Sequence, residues 1–266
     1  NSIDYVRLRG ITFEGTGTYA WPLHIMTSKH LMVDRCNFDP NAATSTTSAK
    51  IGVVVNTSST SYSYGGLGHS DSLTFDSCSI IESGYVGFMM AGVSSSTANK
   101  TPGLVFSNNT VTANYRGVWL QYVGGSVLHN NIVTMNSSSS GYTGLYMYYC
   151  GASNDKGQVI TNNQILNCGN HAVSLQYCDN SSTNRGLFSN NVITNFWGAN
   201  QLLGVYNNGS DYWDFYHNTI DIDNSTSTSS HYAFYSTGTN TDIRNNSFSI
   251  TASTAATGGY AMYHGY

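Results

Sequence analysis

Charge is what this chain has least of. Asp, Glu, Lys and Arg make up 9% of its 266 residues, against about a quarter in an ordinary soluble domain. Acidic residues outnumber basic ones 14 to 10, for a net charge of −4. No basic face is available to neutralise a phosphate backbone, which excludes nucleic acid as a partner. No apolar run approaches the roughly 20 residues of a membrane-spanning helix, so no membrane insertion is expected. Proline is scarce, at three residues, and no stretch carries helical periodicity. A nucleophile elbow, an HExxH pair, a phosphate loop and a CxxC pair are all missing, which removes the motif-bearing enzyme and zinc classes. The eight histidines share no register. The first residues, NSIDYVRLRG, read as part of a strand and not as a signal peptide. The chain is therefore expected to be a segment of a larger protein or a repeating assembly unit.

What is abundant is Ser, Thr, Asn, Gly and Tyr, and it is periodic. The unit is apolar-x-x-Asn-x-apolar, a turn, and a second apolar strand. The clear copies are FSNNTV (Asn109), LHNNIV (Asn131), ITNNQI (Asn163), FSNNVI (Asn191), FYHNTI (Asn218) and IRNNSF (Asn246). LRGITF, VDRCNF and FDSCSI continue it upstream, with Ile11, Cys36 and Cys78 at the Asn position. The nine leading apolar residues, Leu8 to Ile243, are spaced by 22 (Phe106 to Leu128) to 42 residues (Val33 to Phe75). Each copy is followed by a strand such as GVWLQY, GLYMYY or AVSLQY. Alternation of period two makes these strands. A unit this short cannot bury its apolar face alone, and stacking units closes a continuous core. A propeller blade needs about four strands in 40–45 residues, too many for the short copies.

These motifs resemble the right-handed parallel β-helix, the pectate-lyase-like fold, along essentially the whole chain. The expectation is an all-β, single-domain right-handed parallel β-helix over residues 1–266, a solenoid of about nine coils. Asn109, Asn131, Asn163, Asn191, Asn218 and Asn246 would stack as a ladder at one corner, each amide bonded to the next. Register also stacks Cys150 over Cys178, close enough to raise a possible disulfide, or else two small buried apolar side chains.

Two surfaces are candidates for function. Asp34, Asp76, Asp39 and Glu14 gather in the first three coils beside Arg9 and Arg35. Paired carboxylates suit glycoside hydrolysis or a hard cation such as Ca²⁺, or else a plain surface ion-pair network. Asp211, Asp214, Asp221 and Asp223 form a weaker second set. The other surface is a stripe on the second strands. Gln121, Tyr148, Gln176, Tyr206, Tyr235 and Tyr263 are read as one outward row, with Trp119 and Tyr146 one step earlier. Flat rings flanked by amides suit sugar faces, a protein partner, or mere cross-strand packing. The resemblance implies polysaccharide lyases and hydrolases, but their Asp sets and basic groove are not found on these strands. It also implies surface adhesins and fibres. The functional expectation is an extracellular or cell-surface structural or adhesive module that binds a glycan or protein and needs no cofactor, with self-association through the β-helix ends. The alternative is a polysaccharide lyase or glycoside hydrolase.

Overall fold

The chain winds as the repeat requires. The computed structural model describes residues 4–43, 45–59, 61–62, 70–93, 100–136, 142–153, 156–198, 201–223, 229–251 and 258–265. Three walls of nine parallel strands surround one core. The first wall runs from Arg7–Arg9 to Asp242–Arg244, the second from Thr12–Glu14 to Ser247–Ile250, and the third from Leu23–Met26 to Gly259–His264. Within each wall every strand but the first and last pairs with its counterparts one turn before and one turn after. A turn, or rung, thus adds about 4.8 Å to a parallel β-helix.

The leading apolar residues form one inward column of the first wall: Leu8, Val33, Phe75, Phe106, Leu128, Ile160, Phe188, Phe215 and Ile243. Phe13, Phe38, Ile80, Val111, Val133, Ile165, Ile193, Ile220 and Phe248 form the second wall's. Their side chains meet in a single large core cluster. At the last rung the cover runs out, and Tyr260, Met262 and Tyr263 are exposed.

The corner between the first two walls explains why asparagine comes in pairs. In all nine rungs the residue before the position that Asn109 and its equivalents occupy has positive φ: Gly10, Arg35, Ser77, Asn108, Asn130, Asn162, Asn190, His217 and Asn245. Asn tolerates that left-handed conformation better than most residues. The second asparagine supplies the amide. Asn109 Nδ2 donates to Asn131 Oδ1 at 3.1 Å, and the same link joins Asn131 to Asn163, Asn163 to Asn191, Asn191 to Asn218 and Asn218 to Asn246 at 2.9–3.0 Å. Each of these donors also reaches a first-wall carbonyl, as Asn131 does to Phe106 at 2.8 Å. Each oxygen also accepts the backbone N–H one rung back, as Asn131 Oδ1 does from Asn109 at 2.9 Å. A sharp bend inside a dry core would otherwise strand these groups.

The five cysteines are buried free thiols, so the bridge considered between Cys150 and Cys178 is not formed. Cys150 Sγ donates to the Leu120 carbonyl and Cys178 Sγ to that of Gln176, both at 3.4 Å. Stacking in register holds like Cβ atoms about a rung apart, near 4.8 Å, beyond the 3.8 Å or so of a disulfide.

The third wall starts with a kink. From the second rung to the eighth, the residue before its first inward apolar residue is Gly or Ala: Gly52, Gly87, Gly117, Gly144, Ala172, Gly204 and Ala233. A Cβ on Gly117 would lie 2.2 Å from Val133 Cγ1 and 2.6 Å from the Gly144 carbonyl oxygen. Two successive residues therefore face the core here, and the side chain before them is turned to the outside.

Candidate functional site

That kink sets the columns on the outer face of the third wall. Counted from it, Trp119 pairs with Tyr146, then Ser174, Tyr206, Tyr235 and Tyr263. Gln121, Tyr148 and Gln176 form a separate column that continues to Asn208. The single row expected from the sequence is thus two columns on the same face. Leu203 leads its strand but precedes the Gly of the kink, so counting from it slips the later strands by two residues. A two-residue slip preserves the face and changes the column.

A further outer column, before the kink, was not anticipated: Arg116, Thr143, then His171, Leu203, Tyr232 and Tyr260. The signal was available in the recurring small residue that follows each member. His171 stacks on Tyr206, with ring centroids 4.8 Å apart. Tyr206 meets Tyr235 at 5.4 Å, Tyr235 meets Tyr263 at 4.7 Å, and Tyr232 stacks on Tyr260 at 5.0 Å. His171, Gln201, Leu203, Tyr206, Tyr232 and Tyr235 line an open cleft of about 340 Å³. Burial pushes the His171 imidazole down to about 4, so it is neutral at physiological pH. Burial raises the Tyr206 and Tyr232 hydroxyls, which stay protonated. The cleft is therefore lined without charge, by rings, hydroxyls, an amide and an imidazole.

Upstream the same face is closed. Val54 and Met89 occupy the Trp119 column, both fully buried, with Ile51, Val86 and Ala91. Trp21, Tyr62, Tyr85 and Trp119 pack over this second cluster. Between the closed and open stretches Ser174 is buried, and Gln176 Nε2 donates to its hydroxyl at 3.1 Å.

The carboxylates are differently placed. Asp34 and Asp76 are adjacent in the first wall, and Glu14 and Asp39 in the second. Asp34 is nearly buried under Arg7 (2.7 Å), Arg9 (3.2 Å) and Arg35 (3.6 Å). Asp76 accepts from Ser107 (2.6 Å), Asn108 (2.7 Å) and Ser77 (3.1 Å). Burial raises its carboxyl, and those three bonds with the Arg35 charge outweigh that, so the net shift is downward. Asp39 accepts the Asn41 backbone N–H at 2.6 Å. In the second acidic set, Asp214 holds Arg185 at 2.6 Å, Asp211 accepts the Thr239 N–H at 2.6 Å, and Asp223 accepts the Phe196 N–H at 2.9 Å. Asp221 accepts from Ser249. Asp76, depressed and held by three hydrogen bonds, is a poor general acid. Among the described residues no three His, Cys, Asp or Glu side chains gather as a metal site.

The sequence matches the family model described as a right handed beta helix region over residues 21–220, and the chain belongs to that family. A solved structure similar to it is that of the Streptococcus pneumoniae surface protein and adhesin PfbA. The two superpose with a TM-score of 0.51 at 14% identity, covering 98% of this chain and 67% of that one. At that identity the likeness concerns the fold. No curated protein sequence matches the chain.

Proposed function

We propose that the chain is an adhesive β-helix module of the cell surface or extracellular space, and that it binds a glycan in the open cleft of the third wall. The observation that carries this reading is the uncharged aromatic lining at Tyr206, Tyr232 and Tyr235, with His171 and Gln201 beside it. Pyranose rings offer apolar faces to aromatic side chains and hydroxyls to amides and imidazoles, and need no charge to be held. A surface adhesin with the same winding, PfbA, agrees with the reading. A scaffold needs none of these side chains on an open face, because the fold is held by its core and its asparagine corner. Asp34, Asp76 and Asp39 already serve arginines and nearby donors, which favours binding over cleavage.

Binding of the purified chain to an immobilised glycan panel is the direct test, with loss expected in Tyr206→Ala and Tyr235→Ala. Retention of all binding in both variants would move the site elsewhere. Binding to proteins alone would point to a protein partner. Release of reducing ends or unsaturated products, abolished by Asp76→Asn, would make the chain an enzyme. Association of copies through the β-helix ends belongs to the same proposal, on the ground that unpaired strand edges recruit partners. Sedimentation that stays monomeric at all concentrations would remove that part.

A further inference from the structure

Five of the six arginines are held by aspartates: Arg7, Arg9 and Arg35 by Asp34, Arg185 by Asp214 and Arg244 by Asp242. Among the described residues Arg116 is the exception. It opens the fourth strand of the third wall, at the boundary between the closed and open stretches of the outer face. Its guanidinium carbon lies 3.7 Å from the ring centroid of Tyr146, 4.0 Å from that of Trp119 and 5.0 Å from that of Tyr115. Rings hold the cation in place but do not satisfy its hydrogen bonds.

Among the described residues, two donors at this spot have no acceptor. Arg116 Nε and Trp119 Nε1 are both buried and both without a hydrogen-bond partner. Each is a donor only, so neither can satisfy the other. The rings of Tyr62 and Tyr85 lie alongside, their centroids 5.9 and 6.4 Å from that of Trp119. Buried unpaired donors are rare in folded proteins and ask for an explanation. A guanidinium with no carboxylate partner and an idle Nε–H, beside the idle indole N–H of Trp119, is complementary to an oxyanion. Tyr146 lies two rungs before Tyr206 in the same column, about 10 Å at rung spacing. One elongated ligand spans that distance.

We infer that Arg116 and Trp119 form an oxyanion subsite, which takes the carboxylate or sulfate of an acidic glycan whose neutral residues occupy the Tyr206–Tyr235 cleft. This rests on the glycan-binding reading above. The cleft supplies the apolar and neutral contacts, and the subsite makes the ligand an acidic one.

The experiment is a panel of immobilised glycans in neutral, carboxylated (sialylated or uronate-bearing) and sulfated versions, probed with the whole chain, followed by titration of the bound pairs. The expected result is that an acidic member binds about tenfold tighter than its neutral counterpart, as charge-assisted hydrogen bonds give. Arg116→Gln should abolish that ratio and leave neutral binding in place. Trp119→Phe keeps the ring over the guanidinium and removes only the N–H, so it should reduce the ratio by about threefold. It decides the matter if Arg116→Gln loosens the aromatic cluster. Preference for carboxylated over sulfated members, or the reverse, identifies the group, and either supports the subsite. Equal affinity for neutral and acidic members overturns the inference and leaves the cleft reading standing. So does a preference that survives Arg116→Gln. Binding to no glycan removes both.

Discussion

The outer face of the third wall is one surface with two fates. At the second and third rungs Val54 and Met89 lie sealed under Tyr62, Tyr85 and Trp21, as buried as any core residue. At the seventh to ninth rungs the same column carries Tyr206, Tyr235 and Tyr263, which line open space. The backbone is the same in both stretches, and so is the register. What differs is chemistry and cover. Aliphatic side chains with no polar end are roofed by aromatic ones, whereas tyrosines, whose hydroxyls want water or a ligand, are left uncovered. Continuity of fold therefore does not imply continuity of function along a solenoid.

The largest test of that contrast is a pair of truncations. Met89→Ala should cost about 2–5 kcal/mol, as for other fully buried Met side chains. Tyr235→Ala should cost roughly 1 kcal/mol or less, because the ring is only partly buried. Denaturant unfolding of the two variants measures both, and equal losses would erase the distinction. A matching break in the corner that both stretches share is Asn163→Ala. It leaves Asn131 Nδ2 and the Asn131 backbone N–H without their shared acceptor, and should cost about 2–4 kcal/mol.

The two stretches should also part under acid. The His171 imidazole moves from 6.5 to about 4 on folding. The unfolded chain then binds the extra proton first, so this contribution is full above pH 6.5 and is lost as pH falls towards 4. Asp76, nearer the closed stretch, is depressed below 3.8, so its contribution survives until pH falls beneath that value. Melting temperature against pH should show a decline between 6.5 and 4 that is weaker in His171→Gln. Hydrogen exchange should place the early loss at the sixth and seventh rungs. The smallest effect expected is optical: Tyr62→Ala uncovers Trp119, and acrylamide quenching of its fluorescence should rise with little change in stability.

Much of this winding was legible in the residues, because stacking makes each rung repeat the constraints of the last. The apolar columns of the first two walls follow directly from FSNNTV and its copies. The third wall was legible in face but not in column. Its kink depends on how closely Gly117 approaches Val133, and nothing within a single strand records that distance. The small residue recurring from Gly52 to Ala233 was the available clue. The roof over Val54 and Met89 was not legible. Tyr62 and Trp21 lie outside the repeat, and their placement is fixed only when distant rungs come together. Carboxylates that looked paired were in fact engaged elsewhere: Asp34 and Asp76 are neighbours, yet Asp34 serves three arginines and Asp76 three polar side chains.

The asparagine corner has a consequence for reach. Because every link from Asn109 to Asn246 has the same geometry, a rung is an interchangeable part, and excising a block such as residues 131–162 would join Asn130 to Asn163 with both partners still in place. The rod should shorten by a single step of about 4.8 Å. A protein built this way can be cut to length like a ruler, in whole increments, while the bonding of its corner stays unchanged.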